Sequence, residues 1–301
     1  MKDIKEITSV RIVPFTLMSS SVSAVLGLLY AIILLIIFGI VGLVVPGVGQ
    51  YASLLASLGV ALIIALPVAT FFFSILSSFV MALIYNLLVP RIGGIKLGMD
   101  GEEVKSIPVV AVSLMLSMLY TVLTFIVMLV VAPILAVVLE GAALAASTAT
   151  IAIPELSGMG DASGVGIILA IIMIIGVPII VFISTFIYAV VVAFLYNLLA
   201  PKIGGVRLKM KLASHGFCEI KKIPPLPLAL ILAVVLAIVN FIFSLPTGAA
   251  NMASEGVAYG LGYLVGNTVG YLIVTFIIYA LTALIYNFLQ PKIGGVEIKL
   301  E

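Results

Sequence analysis

The sequence predicts an all-α polytopic membrane protein: six transmembrane helices in three parallel repeats with pseudo-threefold symmetry, plus short cytoplasmic β-hairpins that close the N-terminus onto the C-terminus. Three observations carry this reading. Hydrophobic residues make up 64% of the chain and charged residues 9%, where soluble domains carry roughly a quarter charged. All fourteen Lys and Arg residues fall in four segments: the N-terminus, the stretches after the second and fourth spans, and the C-terminal tail. Finally, a ten-residue phrase occurs three times, as YNLLVPRIGG at Tyr85–Gly94, YNLLAPKIGG at Tyr196–Gly205 and YNFLQPKIGG at Tyr286–Gly295.

The spans follow from charge-free runs. No charged residue lies between Arg11 and Arg91, which is too long for one span of about 20 residues and suits two. The turn between them is VVPGVGQY at Val44–Tyr51, where a Pro-Gly pair breaks the helical run. Lys105 to Lys202 contains only Glu140, Glu155 and Asp161, and Lys222 to Lys292 only Glu255; these acids are expected to mark outer loops. Six spans result, at 15–45, 52–89, 106–138, 164–199, 225–246 and 257–289. The positive-inside bias places both termini in the cytoplasm of a cell-membrane protein.

Repeats divide the chain into units at 1–100, 101–212 and 213–301, one integrated membrane domain of three two-span units. Each phrase runs into an alternating tail: Ile95, Leu97 and Met99 share one face of a predicted strand, as do Val206, Leu208 and Met210. Each unit also opens on a short strand ending in proline, aligned as VRIVP at Val10, VKSIP at Val104 and IKKIP at Ile220. Asp100-Gly101 predicts a two-residue hairpin turn between the first two units. VRLKMK is expected to pair with EIKKI across LASHGF, and the last strand, Val296–Leu300, with residues 8–12. Closure hides the strand edges that a lone unit would expose. Each unit has an even number of spans, which makes the repeats parallel rather than inverted.

Within the phrase, Pro90, Pro201 and Pro291 are expected to end the helices and the Gly pair to reverse the chain. Tyr85, Tyr196 and Tyr286, with Arg91, Lys202 and Lys292, are expected to anchor the helices at the membrane interface. The Tyr-Asn…Gly-Gly-[Ile/Val]-x-[Leu/Ile] tail after a second span resembles the end of a bacterial two-span transmembrane family of unknown function, here in three tandem copies. The resemblance implies that single-unit relatives assemble as homotrimers to reach the arrangement this chain holds covalently. It implies no activity.

Chemistry is sparse. No ionisable residue is buried in any span, which argues against a proton relay or an ion-coupled carrier. Aligning the second helices on the phrase puts Ser74, Thr185 and Thr275 at one level and Asn86, Asn197 and Asn287 at another, forming two polar rings if those helices line the axis. Such rings suit a pore, but interhelical hydrogen-bonding glue is the preferred reading. Gly262, Gly266 and Gly270 form a double G-x-x-x-G predicted to pack helices closely. His215, Cys218 and Glu219 have no second ligand pair, so neither a metal nor another cofactor is expected. Nothing pairs a nucleophile with a base, and an enzyme is not expected. The functional expectation is a membrane platform or interaction protein whose basic cytoplasmic hairpins meet a protein partner or anionic lipid headgroups. The alternative is a passive pore for an ion or small polar solute along the axis. The modest net charge of +2 gives no reason to expect nucleic acid.

Overall fold

The structure, a computed structural model, describes residues 3–44, 52–152 and 165–301. Six helices dominate it: α1 (Ile12–Val44), α2 (Ala52–Ile92), α3 (Val109–Ala152), α4 (Val165–Ile203), α5 (Pro225–Glu255) and α6 (Val257–Ile293). All six are long and apolar enough to cross a membrane, and the chain is an integral, multi-pass membrane protein. Seven strands join them: β1 (Asp3–Val10), β2 (Ile95–Asp100), β3 (Glu103–Ser106), β4 (Val206–Arg207), β5 (Lys209–Leu212), β6 (Phe217–Lys222) and β7 (Glu297–Leu300).

The helices overrun the predicted spans. α3 continues past 138 to Ala152 and takes Glu140 into the helix, and α5 runs on through Pro246 and Gly248 to Glu255. The Ala-rich composition of both extensions favours helix, and an isolated acid or glycine does not outweigh it. Residues 45–51, with most of the first predicted turn, lie outside the described residues, as do Glu155 and Asp161. The repeated prolines do not end the helices either. Each lies two residues inside one, and Gly93, Gly204 and Gly294 close them at φ +81, +91 and +83. Each of these glycines donates its N–H four residues back, to Val89 at 2.9 Å, Ala200 at 3.0 Å and Gln290 at 2.9 Å.

The sheet is antiparallel throughout, in the order β4-β3-β2-β1-β7-β6-β5. Its two end strands are consecutive in the chain, separated by Leu208 alone. Val206–Leu212 thus acts as one bent strand, pairing with β3 through its first half and β6 through its second. With Val206–Leu212 taken as one strand, the order closes into a ring in which each strand has a paired neighbour on both sides over part of its length. At its chain-terminal seam β7 pairs with β1, matching Ser9 to Lys299 and Val10 to Ile298. The tight turn after β2 lies one residue later than predicted: Asp100 is still paired, with Glu103, and Gly101 (φ +62) begins the turn.

The chain falls into two compact units, Met1–Val112 with Val191–Glu301, and Ser113–Val190. The first holds the strand ring and the helix pairs α1/α2 and α5/α6. Its core gathers Met99 and Val104 from the sheet, Tyr196 and Ala200 from the end of α4, and Ile231 and Val235 from α5. A second cluster packs Met18 and Val22 of α1 on Ile285 and Tyr286 of α6. Along α5, alternate residues from Ala229 to Val239 are buried. A step of two turns a helix by about 200°, so two opposite faces of α5 are covered. The second unit packs Ala132 and Ala136 of α3 against Ala170, with Met173 and Ile174 beside them.

The predicted glycine packing is elsewhere than expected. A Cβ at Gly262, Gly266 or Gly270 would meet no atom within 4 Å among the described residues. The tight contacts of α5 with α6 are at Gly248, where a Cβ would fall 2.6 Å from Leu264, and at Gly260, 2.2 Å from Met252.

Candidate functional site

The repeated phrase builds the same device three times, a clip that locks the end of a helix to the strand opening its own copy. In each, the tyrosine is 5% exposed and its hydroxyl enters a strand pair. Tyr85 Oη donates to Ile7 O at 2.6 Å and accepts from Ile95 N at 3.1 Å. Tyr196 donates to Val104 O and accepts from Val206 N at 2.9 Å. Tyr286 donates to Ile220 O at 2.7 Å and accepts from Val296 N at 3.0 Å. At the last of these the companion bond, Ile220 N to Val296 O at 2.9 Å, is direct. The hydroxyl therefore replaces one of the pair's two backbone bonds where helix end and strand diverge. The tyrosines are buried hydrogen-bonding groups, a role that interface anchoring does not include. Arg91, Lys202 and Lys292 are exposed at the ends of the same helices.

The asparagines complete the clip. Asn86 Nδ2 donates to Val10 O at 2.8 Å while its Oδ1 accepts from Val10 N at 2.9 Å. Asn197 holds Ile107 in the same way, at 2.7 and 2.8 Å, and Asn287 holds Ile223 at 2.7 and 2.8 Å. Each amide mimics a neighbouring strand at the residue where a strand has ended and a helix is about to begin. Buried backbone groups left unpaired there would cost about 1–3 kcal/mol apiece.

A carboxylate that sequence reasoning missed closes each clip. Glu6 Oε1 accepts from Gly94 N at 2.5 Å, Glu103 from Gly205 N at 2.8 Å and Glu219 from Gly295 N at 2.7 Å. A basic residue on the following strand neutralises two of them, Lys96 on Glu6 at 3.6 Å and Arg207 on Glu103 at 3.4 Å. The third copy has Glu297 at that position, directly opposite Glu219. Lys221 (2.7 Å) and Gln290 (2.8 Å) bond Glu219 instead, and Arg11 pairs with Glu297.

These contacts correct the alignment of the first unit. Ile7, not Val10, occupies the place of Val104 and Ile220, so Arg11 stands where the other copies have Pro108 and Pro224. Pro14 has no counterpart. The readable signal was an acid followed by a β-branched residue at Glu6-Ile7, Glu103-Val104 and Glu219-Ile220.

No family model matches the chain, and no curated protein or solved structure matches it.

Of the predicted hydroxyl positions, Ser74 accepts a bond from Ser23 Oγ at 3.1 Å, Thr275 is buried and Thr185 is half-buried. Ser74 and Thr275 belong to the first compact unit and Thr185 to the second.

Burial by itself would raise the Glu219 carboxyl, but bonds from Lys221, the Gly295 N–H and Gln290 outweigh it and hold the group below the ordinary carboxylate range. A depressed folded value adds stability that is present above the unfolded value and lost as pH falls through the folded one. Glu219→Gln is therefore expected to lower the melting temperature at neutral pH and to flatten its fall in acid. An acid limb as steep as that of the wild type would show that Glu219 is not the group titrating.

Proposed function

We propose that the chain is a non-enzymatic membrane platform of three helix pairs related by pseudo-threefold symmetry, which presents a rigid strand ring and both termini to the cytoplasm. Recurrence of one neighbour relation supports the symmetry. The end of α4 packs on α5 and the end of α6 packs on α1, each a trailing helix against the next leading one. Confinement of every described Lys and Arg to the ring end of the helices supports the orientation. The exposed lysines of that ring suit an acidic surface, either a protein partner or lipid headgroups.

The observation that carries the platform over the pore is how the asparagine amides are used. Each has both its oxygen and its nitrogen bonded to one backbone residue. A polar ring that coordinates a passing solute needs its donors and acceptors turned to the path, and each of these amides commits one N–H and its oxygen to a backbone residue at a strand end. The test is reconstitution into liposomes with measurement of potassium, chloride and glycerol flux. The expected rates equal those of protein-free vesicles, and a protein-dependent flux would overturn the platform in favour of a pore.

A further inference from the structure

Three seams of the ring, where one copy's trailing strand meets the next leading strand, share one register, and one seam stands apart. At this register Gly98 lies opposite Ser106, Lys299 opposite Ser9, and Lys209 opposite Lys222. The first pair is uncharged and tight, since a Cβ on Gly98 would stand 2.2 Å from Ser106 Oγ. The second has one cation, and Lys299 Nζ bonds Glu301 at 2.8 Å. The third sets two exposed lysines opposite each other beside a bulge in the pairing, and like charges directly opposite are destabilising. Among the described residues neither lysine makes an ion pair. The nearest acid along the strand, Glu219, is already engaged by Lys221, Gln290 and Gly295. A cation pair with no internal counter-ion is complementary to an anion from outside the chain.

The surroundings specify the anion. Lys222 precedes the start of α5 at Pro225 by three residues, and Leu226 just inside that helix is 69% exposed. Leu226, Leu230 and Val234, four apart on α5, lead to a groove of about 260 Å³ bounded by Leu230, Ala233 and Val234 of α5 and by Leu272, Ile273 and Phe276 of α6. The rise of 1.5 Å per residue puts Val234 about 14 Å along the helix from Pro225, the direction and depth of an acyl chain hung from a headgroup beside Lys222. A free phosphate would engage the lysines and leave the groove unexplained.

We propose that Lys209 and Lys222 hold the phosphate of an anionic phospholipid, one acyl chain of which lies in the α5/α6 groove. This rests on the reading of the strand ring as lying at the membrane surface.

Native mass spectrometry of the whole chain, with phosphatidylglycerol titrated against phosphatidylcholine, tests it. The wild type is expected to retain one phosphatidylglycerol preferentially. Lys209→Gln with Lys222→Gln is expected to weaken that retention about tenfold or more, and Lys299→Gln, at the matching place in another seam, to leave it unchanged. Ile273→Trp, which fills the groove from an exposed position, is expected to weaken it with helical content intact. Glycerol phosphate at the same concentration is expected not to compete. Absence of a preference in the wild type, an equal loss in Lys299→Gln, retention by Ile273→Trp, or displacement by glycerol phosphate would each overturn the lipid site. Carbonate extraction of the wild type from vesicles separates the two ideas: a chain that washes out sinks the membrane reading and the site together, whereas a retained chain that binds no phosphatidylglycerol sinks the site alone.

Discussion

Replacing Gly205 with alanine is expected to destabilise the protein by roughly 4 kcal/mol or more, the range reached when a buried hydrogen-bond network is broken by steric intrusion. A Cβ there would stand 2.0 Å from the carbonyl oxygen of Val104 and 2.9 Å from the hydroxyl of Tyr196. The first is backbone and cannot swing aside, so β4 must separate from β3. That separation breaks the bonds of Tyr196 to Val104 O and Val206 N and pulls the Gly205 N–H from Glu103. Each buried group left unpaired costs about 1–3 kcal/mol. Gly295→Ala is expected to match it, with Ile220 O at 2.2 Å and Tyr286 Oη at 2.9 Å. Gly262→Ala is the contrasting control: its site is open, and alanine favours helix over glycine by up to about 1 kcal/mol. Thermal unfolding in detergent ranks the three variants. If Gly205→Ala melts alongside Gly262→Ala, the clip does not hold the fold.

The two glycines of the phrase show what the sequence could and could not reveal. A Gly-Gly pair after a helix signals a reversal, and the first glycine does supply the positive φ that ends each helix. The second is glycine for another reason: a carbonyl from a strand distant in sequence lies where its side chain would be. Nothing local encodes that approach. The apolar runs and the period-two tails were readable because burial imposes its period on the chain itself. Asn86 and Tyr85 were conspicuous by repetition, yet their partners Val10 and Ile7 are ordinary β-branched residues. Aligning the copies on proline therefore shifted the first one by three residues, because at Arg11 the chain departs from the pattern of Pro108 and Pro224. Glu6, Glu103 and Glu219 escaped notice for a related reason. A surface carboxylate near lysines reads as a solvated charge until the backbone N–H it caps is known.

Arg11→Glu is expected to loosen the closing seam of the ring, at a cost of roughly 1 kcal/mol for the lost pair, modest because that pair is partly solvated, with the new like-charge contact added to it. Of the three seams, this one alone is not bridged by a continuous chain, and here the copy pattern is inverted. Glu297 stands where Lys96 and Arg207 stand, and Arg11 where Pro108 and Pro224 stand. Arg11 bonds Glu297, lies 5.4 Å from the centre of the Phe217 ring, and donates its backbone N–H to Glu297 O at 2.9 Å. A glutamate at 11 would face Glu297, which already lies opposite Glu219, setting three carboxylates around one strand end. Glu297→Lys is expected to be milder, although it too removes the pair with Arg11. The new lysine would reach Glu219 as Lys96 reaches Glu6, restoring the pattern of the other copies. Combining Arg11→Glu with Glu297→Lys is expected to recover most of the loss. Amide exchange reports the seam directly, because Glu6 and Glu301 exchange backbone bonds across it at 2.6 and 2.9 Å. Faster exchange at both amides in Arg11→Glu, slowed again in the double variant, is the expected result. Equal protection in all three would mean that strand pairing alone closes the ring and that the reversed charges at 11 and 297 add nothing to it.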